Sequence, residues 1–347
     1  MKTFKNILAG FAAATALVSC STDFDIIAPY EEHTIVFGLL DQNDNIQWIK
    51  INKSFLGDGN AYDMAAIRDS SEYDLVVGNV EAWAGGALQA TYPLRDTVVT
   101  NRDSGVFYYP EQTLYYFNAT LNDAYEYRLN LQVGENGKEV SGRTNLVKNT
   151  NFTGNITAFS FAYSTSSITG VYPPNSQVRF NTGQYGKRYD TWLHFWYDEY
   201  TASGVERKDL TWKIDNYITL STNGGENRTI TFDGDAFYRY VSQQIHFDAN
   251  VIKRIPRQMD IQIVAASEDL YTYMKLNEPS TGIVQEKPSF TNLTDAIGLF
   301  SSRYTKWIRG KVLNKDSMNE LAMGQFTNGL QFCSDSLIWA AEPCACP

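Results

Sequence analysis

The chain has 347 residues, of which 43% are hydrophobic and 14% aromatic, and carries a formal net charge of −10. Its length suggests two domains, each able to bury a core of its own. The acidic balance, with no cluster of Lys and Arg, excludes a nucleic-acid partner of the basic-patch kind.

In chain order, the first segment reads as a processing signal. Lys2 and Lys5 are followed by the uninterrupted apolar and small run Ile7 to Val18, and Leu17-Val18-Ser19-Cys20 closes it. About a dozen such residues are too few to cross a hydrocarbon core of ~30 Å as a helix. A small residue before a cysteine is what lipoprotein processing needs, so residues 1–19 are expected to be removed and Cys20 to be acylated. Two or more acyl chains hold a protein stably at a membrane. Both lysines leave with the signal and no acid does, so the net charge becomes −12. Residues 20–32 are expected to form the lipidated tether.

From Thr34 onward short apolar runs alternate with turn residues. Tyr125–Val133 is apolar at every odd position and polar at every even one, the period of a half-buried strand. Gly134-Glu135-Asn136-Gly137 supplies the turn after it. Thr34–Leu40 and Ile46–Asn52 flank Asp41–Asn45 as a hairpin. Tyr73–Trp83, Val106–Tyr109 and Thr113–Ala119 also read as strands. Residues 33–148 are therefore expected to form one sandwich of about seven strands. Phe55–Asp69 stands apart as an inserted, partly helical loop whose Phe55, Leu56, Tyr62, Met64 and Ile67 make a candidate protein contact.

The polar stretch Lys148–Asn155 reads as a boundary. Residues 149–330 are expected to form a second β-rich domain, with strands at Gln177–Asn181, Tyr189–Tyr200, Glu206–Asp215, Arg228–Phe232 and Met259–Ala265. Phe237, Tyr240, Val241 and Ile245 fall on one face of a helix. Ser267 is placed to cap a second helix whose Leu270, Tyr273 and Met274 face inward. The fold class is thus mainly β: two sandwiches, Ig-like or transthyretin-like, with short helices inserted in the second. Residues 331–347 form a cysteine-containing tail in which one disulfide is expected among Cys333, Cys344 and Cys346, without the pairing being determined.

Catalytic and metal signatures are missing. The three histidines, His33, His194 and His246, have no ligand spacing. No hydrolase elbow, P-loop or dinucleotide fingerprint occurs. Asp41-x-Asn43-x-Asn45 begins like a calcium loop, but Ile46 stands where the tight turn needs glycine. Asp198 and Glu199, adjacent on a strand, point to opposite faces and so do not share a site. Trp192 and Trp196 share a strand face, as Tyr108 and Tyr115 do if their strands form a hairpin. Core packing is the expectation for them, and stacking of sugar rings the rival. No cofactor and no metal are expected.

Asp260–Leu276, Pro288–Leu293 and Ala296–Phe300, together with Phe37-Gly38-Leu39 and Tyr125–Val133, give the chain a resemblance to an uncharacterised family of two-domain, β-rich Bacteroidota lipoproteins. That resemblance covers most of the chain, departs at Phe55–Asp69, and lends no catalytic residues. Ser21-Thr22-Asp23-Phe24-Asp25 is similar to the acidic export signal that sends lipoproteins of this phylum to the cell surface. Asp96-Thr97-Val98, Asp316-Ser317-Met318 and Asp335-Ser336-Leu337 match its O-glycosylation pattern. The expected function is that of a non-enzymatic outer-membrane lipoprotein, exposed on the surface. It would serve as an accessory or scaffold subunit beside an outer-membrane β-barrel or another envelope protein. The alternative is a glycan- or nutrient-binding lipoprotein of an uptake system.

Overall fold

A computed structural model describes residues 32–55, 60–154, 156–164, 168–174, 176–279 and 289–333. Within them the chain is mainly β, with several antiparallel sheets and few helices. The first half contains β1 (Thr34–Asp41), β2 (Ile46–Lys53), α1 (Ala61–Ala65), α2 (Arg68–Ser71), β3 (Val76–Ala84), β4 (Ala87–Pro93), β5 (Arg95–Val99), β6 (Gln112–Asn118), β7 (Glu126–Val133) and β8 (Lys138–Asn145). The second contains β9 (Asn151–Thr153), β10 (Ala158–Phe159), β11 (Gln177–Asn181), β12 (Gly186–Thr201), β13 (Gly204–Ile218), β14 (Asn227–Thr231) and α3 (Gly234–Gln244). It continues through β15 (Val251–Ser267), α4 (Glu268–Asn277), β16 (Leu293–Thr294), β17 (Ala296–Leu313) and α5 (Lys315–Met323). No described helix is long and apolar enough to cross a membrane.

Two cores form where alternating strands turn their apolar faces together. In the first, Val80, Ala82, Tyr127, Leu129 and Leu131 of a sheet ordered β16-β8-β7-β3-β4 meet Val36, Leu40, Ile49, Ile51 and Phe117 of a second sheet. In the second core, Leu193, Phe195, Ile261 and Ile263 meet Val178, Phe180 and Ile230 of the small sheet β14-β11-β9, together with Phe237 and Val241 of α3. Leu146 packs into the first core and Val147 into the second.

The two cores share a layer, however. One nine-stranded sheet runs β13-β12-β15-β17-β1-β2-β6-β5, with β10 added beside β17. β17 is the seam. Its residues Ala296 to Arg303 run parallel to all of β1, and Arg303 to Lys311 run antiparallel to β15. Residues 33–148 therefore do not close a sandwich by themselves, because Leu293 and Phe300 complete the first core. This long return pairing joins residues more than 250 positions apart, and local periodicity carries no record of such a partner.

Other expectations change in the structure. Val106–Tyr109 is not a strand, and β6 pairs instead with β5. Tyr115 points into the first core, so it shares no face with Tyr108. Ser267 does cap α4, accepting from the Leu270 amide at 3.3 Å, but no residue of that helix is buried. The partly helical character expected of the insert is present as α1 and α2, the second running past Asp69 to Ser71. Ser317, in one of the glycosylation-like tripeptides, is fully buried with its hydroxyl accepting from the Phe161 amide.

The inserted loop is tied down by one carboxylate. The β2–β6 ladder ends at Ile49 and Tyr115, and Glu72 fills the gap beyond. It accepts from the Thr113 amide at 3.0 Å and the Thr113 hydroxyl at 2.6 Å. Arg68 at 2.9 Å and Lys50 at 3.1 Å complete its shell. Burial alone would raise this carboxyl; the Thr113 hydrogen bonds, then Arg68 and Lys50, more than offset it and hold it at about 2. A depressed carboxyl stabilises the fold above its unfolded value near 4.5 and loses that contribution as pH falls toward 2. Discounted for solvent screening, the expected loss is on the order of 1–2 kcal/mol. Urea unfolding at pH 5.5 and pH 2.5 measures it; Glu72→Gln should flatten that pH dependence, and an unchanged slope in the variant would assign the effect elsewhere.

Candidate functional site: the open face of the long sheet

β1, with the sequence TIVFGLLD, is apolar on both faces. Val36 and Leu40 point into the first core and are fully buried. Ile35, Phe37 and Leu39 point the other way. A strand apolar on both sides normally lies between two layers, yet among the described residues this outer side is covered only in part. Tyr273 of α4 meets Phe37 edge-on at 5.5 Å, and α2 reaches the neighbouring β2, where Asn52 donates to the Ser71 carbonyl at 2.8 Å.

The neighbouring strands extend the same surface. Phe37 lies between Leu299 of β17 and Lys50 of β2, and Trp48 lies opposite Tyr116 of β6, with their rings 5.3 Å apart. Phe37, Ile46, Trp48 and Ile297 remain 40%, 43%, 43% and 46% exposed. A shallow cavity of about 320 Å³ opens among Phe37, Leu39, Trp48, Leu114, Leu299 and Arg303. Arg303 is fixed by Asp41 at 3.2 Å. Asp41 also accepts from the Asn43 amide and side chain, so the calcium-like spacing serves a turn.

Further along this face the surface becomes polar and aromatic. Trp192, His194 and Trp196 of β12 are half-buried here, on the side away from the second core. The expectation that the two tryptophans pack inside is corrected by register: Leu193, Phe195 and Tyr197 take the inward positions. Lys213 lies over the Trp192 ring at 5.3 Å, Arg309 over Trp307 at 4.7 Å, and the Trp196 indole donates to Asp260 at 3.1 Å. His194 contacts Gln262 at 3.1 Å through Nε2 and Thr211 at 3.0 Å through Nδ1, and its ring lies tilted against Trp307 with centroids 5.0 Å apart. Asp209 lies 3.9 Å from His194 Nδ1 and accepts from the Thr211 hydroxyl at 3.2 Å, so the ring is held from both sides within the sheet.

Asp198 and Glu199 are each held by two cations. Arg207 and Arg257 bind Asp198 at 2.7 and 2.6 Å, and Arg254 binds Glu199 at 2.8 Å with Lys208 on its other oxygen. The Arg207 hydrogen bond draws Asp198 below its usual carboxylate value. Burial pushes Glu199 up, but Lys208 and Arg254 outweigh it and lower it as well. A glycosidase acid needs the opposite shift. No group of three metal-binding side chains occurs among the described residues.

Trp192, His194 and Trp196 aside, the candidate site residues named from sequence either do not line the cavity at Phe37 or lie outside the described residues. Cys20, Ser21, Thr22, Asp23, Phe24, Asp25, Leu56, Cys344 and Cys346 lie outside them. Tyr62 and Ile67 stand exposed on the insert, while Phe55 and Met64 are half-buried. Cys333 is buried and disulfide-bonded. His33 and His246 are exposed. Sequence reasoning missed Phe37, Trp48 and Ile297; the available signal was the double-faced apolarity of β1. No family model matches this chain, and no curated protein is similar to it.

Proposed function

We propose that this protein is a non-enzymatic, lipid-anchored envelope protein, displayed at the outer membrane, that acts as an accessory or scaffold subunit by docking another polypeptide on the open face around Phe37 and Trp48. The observation that carries this reading is that β1 is apolar on two faces, one fully covered and the other covered only in part. Exposed contiguous apolar surface of this kind marks interaction sites. Its composition of Trp, Phe, Tyr and Arg is that of interface anchors. The partner is an outer-membrane β-barrel or another envelope protein, held close because the Cys20 acyl chains confine both to one surface. Sugar stacking on Trp192 is disfavoured, since Lys213 already lies over its ring.

The test uses the full-length protein recovered in mild detergent. Phe37→Glu combined with Trp48→Glu should remove a defined co-purifying envelope protein at least tenfold, because buried aromatic anchors are each worth about 2 kcal/mol. Tyr62→Glu with Ile67→Glu, on the insert, should retain it, and Cys20→Ala should release the protein from membranes. Retention of the partner by the Phe37/Trp48 variant, with loss in the Tyr62/Ile67 variant, would move the interface to the insert.

A further inference from the structure

The opposite sheet of the first sandwich carries a second surface of different chemistry. Outward residues of β3, β7, β8 and β16 stand in rows across the strands. Asn79 faces Asn130, Asn130 faces Ser141, and Ser141 faces Thr294. These side chains are short. The next row on one side holds Gln132 and Glu139, and on the other Arg128 and Arg143. A short row between longer ones is a trough, and a cavity of about 500 Å³ lies there, closed at one end by Thr294 and Asp295. Asp295 holds a left-handed backbone, φ 58°, a conformation that asparagine and aspartate tolerate better than most residues.

The hydrogen-bonding capacity of this trough is largely unspent. Asn130 donates weakly to Asn79 at 3.4 Å. The side chains of Gln132, Glu139, Ser141, Thr294 and Asp295 make no hydrogen bond to another described residue. No Lys or Arg lines the cavity, which disfavours phosphate, sulfate or uronic acid ligands. Val77 is the single large apolar side chain turned into it, so nothing there accommodates the apolar side chains of a peptide. The carboxylates of Glu139 and Asp295 accept, while the amides of Asn79, Asn130 and Gln132 and the hydroxyls of Ser141 and Thr294 can both donate and accept, a set that matches hydroxyl groups, each of which donates and accepts. The trough crosses three interstrand spacings, about 14 Å. We infer that this trough binds a short neutral oligosaccharide laid across β3, β7, β8 and β16, a function separate from the protein docking on the other sheet.

The experiment presents the detergent-solubilised full-length protein to an array of neutral oligosaccharides (glucans, mannans, galactans and xylans) beside sulfated and uronic-acid-containing ones. Any hit is then titrated by calorimetry. A neutral hit is expected, with affinity falling at least tenfold in Asn130→Ala with Ser141→Ala and staying within twofold in Phe37→Glu with Trp48→Glu. Should the first variant misfold, Gln132→Ala with Glu139→Ala, at exposed positions, replaces it and should weaken binding at least threefold. Binding that survives these trough changes, a preference for the anionic glycans, or no hit on the array each overturns the inference. None of these outcomes bears on docking at Phe37 and Trp48, which the pull-down reads separately.

Discussion

Gly298→Val should lower the thermal midpoint of the whole protein by about 4 °C or more, in a single transition. Gly298 sits in β17 at φ 111°, a conformation L side chains rarely adopt, and an added Cβ would lie 2.1 Å from the Val36 carbonyl oxygen and 3.0 Å from its carbon. Both contacts are backbone, so no side chain can swing aside. Either the valine distorts β17 or β1 moves off its parallel register. Strain together with overpacking of this kind costs about 3 kcal/mol or more, and at about 2.1 cal/mol/K of unfolding entropy per residue each kcal/mol moves the midpoint of a chain this size by about 1–2 °C. The effect is global because β17 serves both cores. Trp48 and Trp83 report on the first half and Trp192, Trp196 and Trp307 on the second. Selective probes of each half should therefore lose structure together. Two separate transitions in the wild type, or a variant that melts with it, would show that the halves are independent at this strand.

Arg254→Met is expected to cost about 3 kcal/mol in urea unfolding. Arg254 is 3% exposed. Its Nε donates to Glu199 at 2.8 Å and its Nη1 to the Leu330 carbonyl at 2.8 Å. Its backbone amide donates to the Gln331 carbonyl at 2.7 Å and its carbonyl accepts from the Cys333 amide at 3.0 Å. One residue thus balances a buried acid and holds the segment that leads into the disulfide. Removing the guanidinium leaves Glu199 with Lys208, a cation 36% exposed and more hydrated, so the buried charge is compensated only in part. Met occupies similar volume, which confines the loss to charge and hydrogen bonding. Glu199→Leu added to Arg254→Met should recover much of it, since replacing both members of a buried pair is often close to neutral. The Cys333 disulfide should also become easier to reduce in the single variant. A cost below about 0.5 kcal/mol would mean that water already reaches this pair.

Much of the local structure was legible because its signals are local. The alternation in Tyr125–Val133 appears as β7, Gln177–Asn181 is β11 to the residue, and Asp41–Asn45 is a hairpin turn. Helix α3 has Phe237 and Val241 on its core face as the spacing required, but Tyr238 is buried there and the expected Tyr240 is only half-buried; Ser267 caps α4. Each of these rests on a period or a cap that the chain carries within about ten residues. β4, β8 and β17 are also absent from the sequence reading, and β5 at Arg95–Val99 has no such mark. It is an edge strand with weak alternation, and edges carry little apolar load.

The candidate sites were barely legible. Double-faced apolarity in TIVFGLLD implies cover on both sides, and the sequence by itself cannot say that one side is bare. Nor can it place Asn79, Asn130, Ser141 and Thr294 in one row, because they come from four strands spread over more than 200 residues.

The sequence by itself determined the mainly β class, most strand and helix positions, and the turn chemistry, because side-chain period and φ preference act over a few residues. The tertiary structure alone decided that two cores share one nine-stranded sheet, which face of β12 holds Trp192 and Trp196, and where the polar trough opens. Those outcomes depend on which distant strands pair and in what register, and one residue of slip exchanges every inward side chain for an outward one.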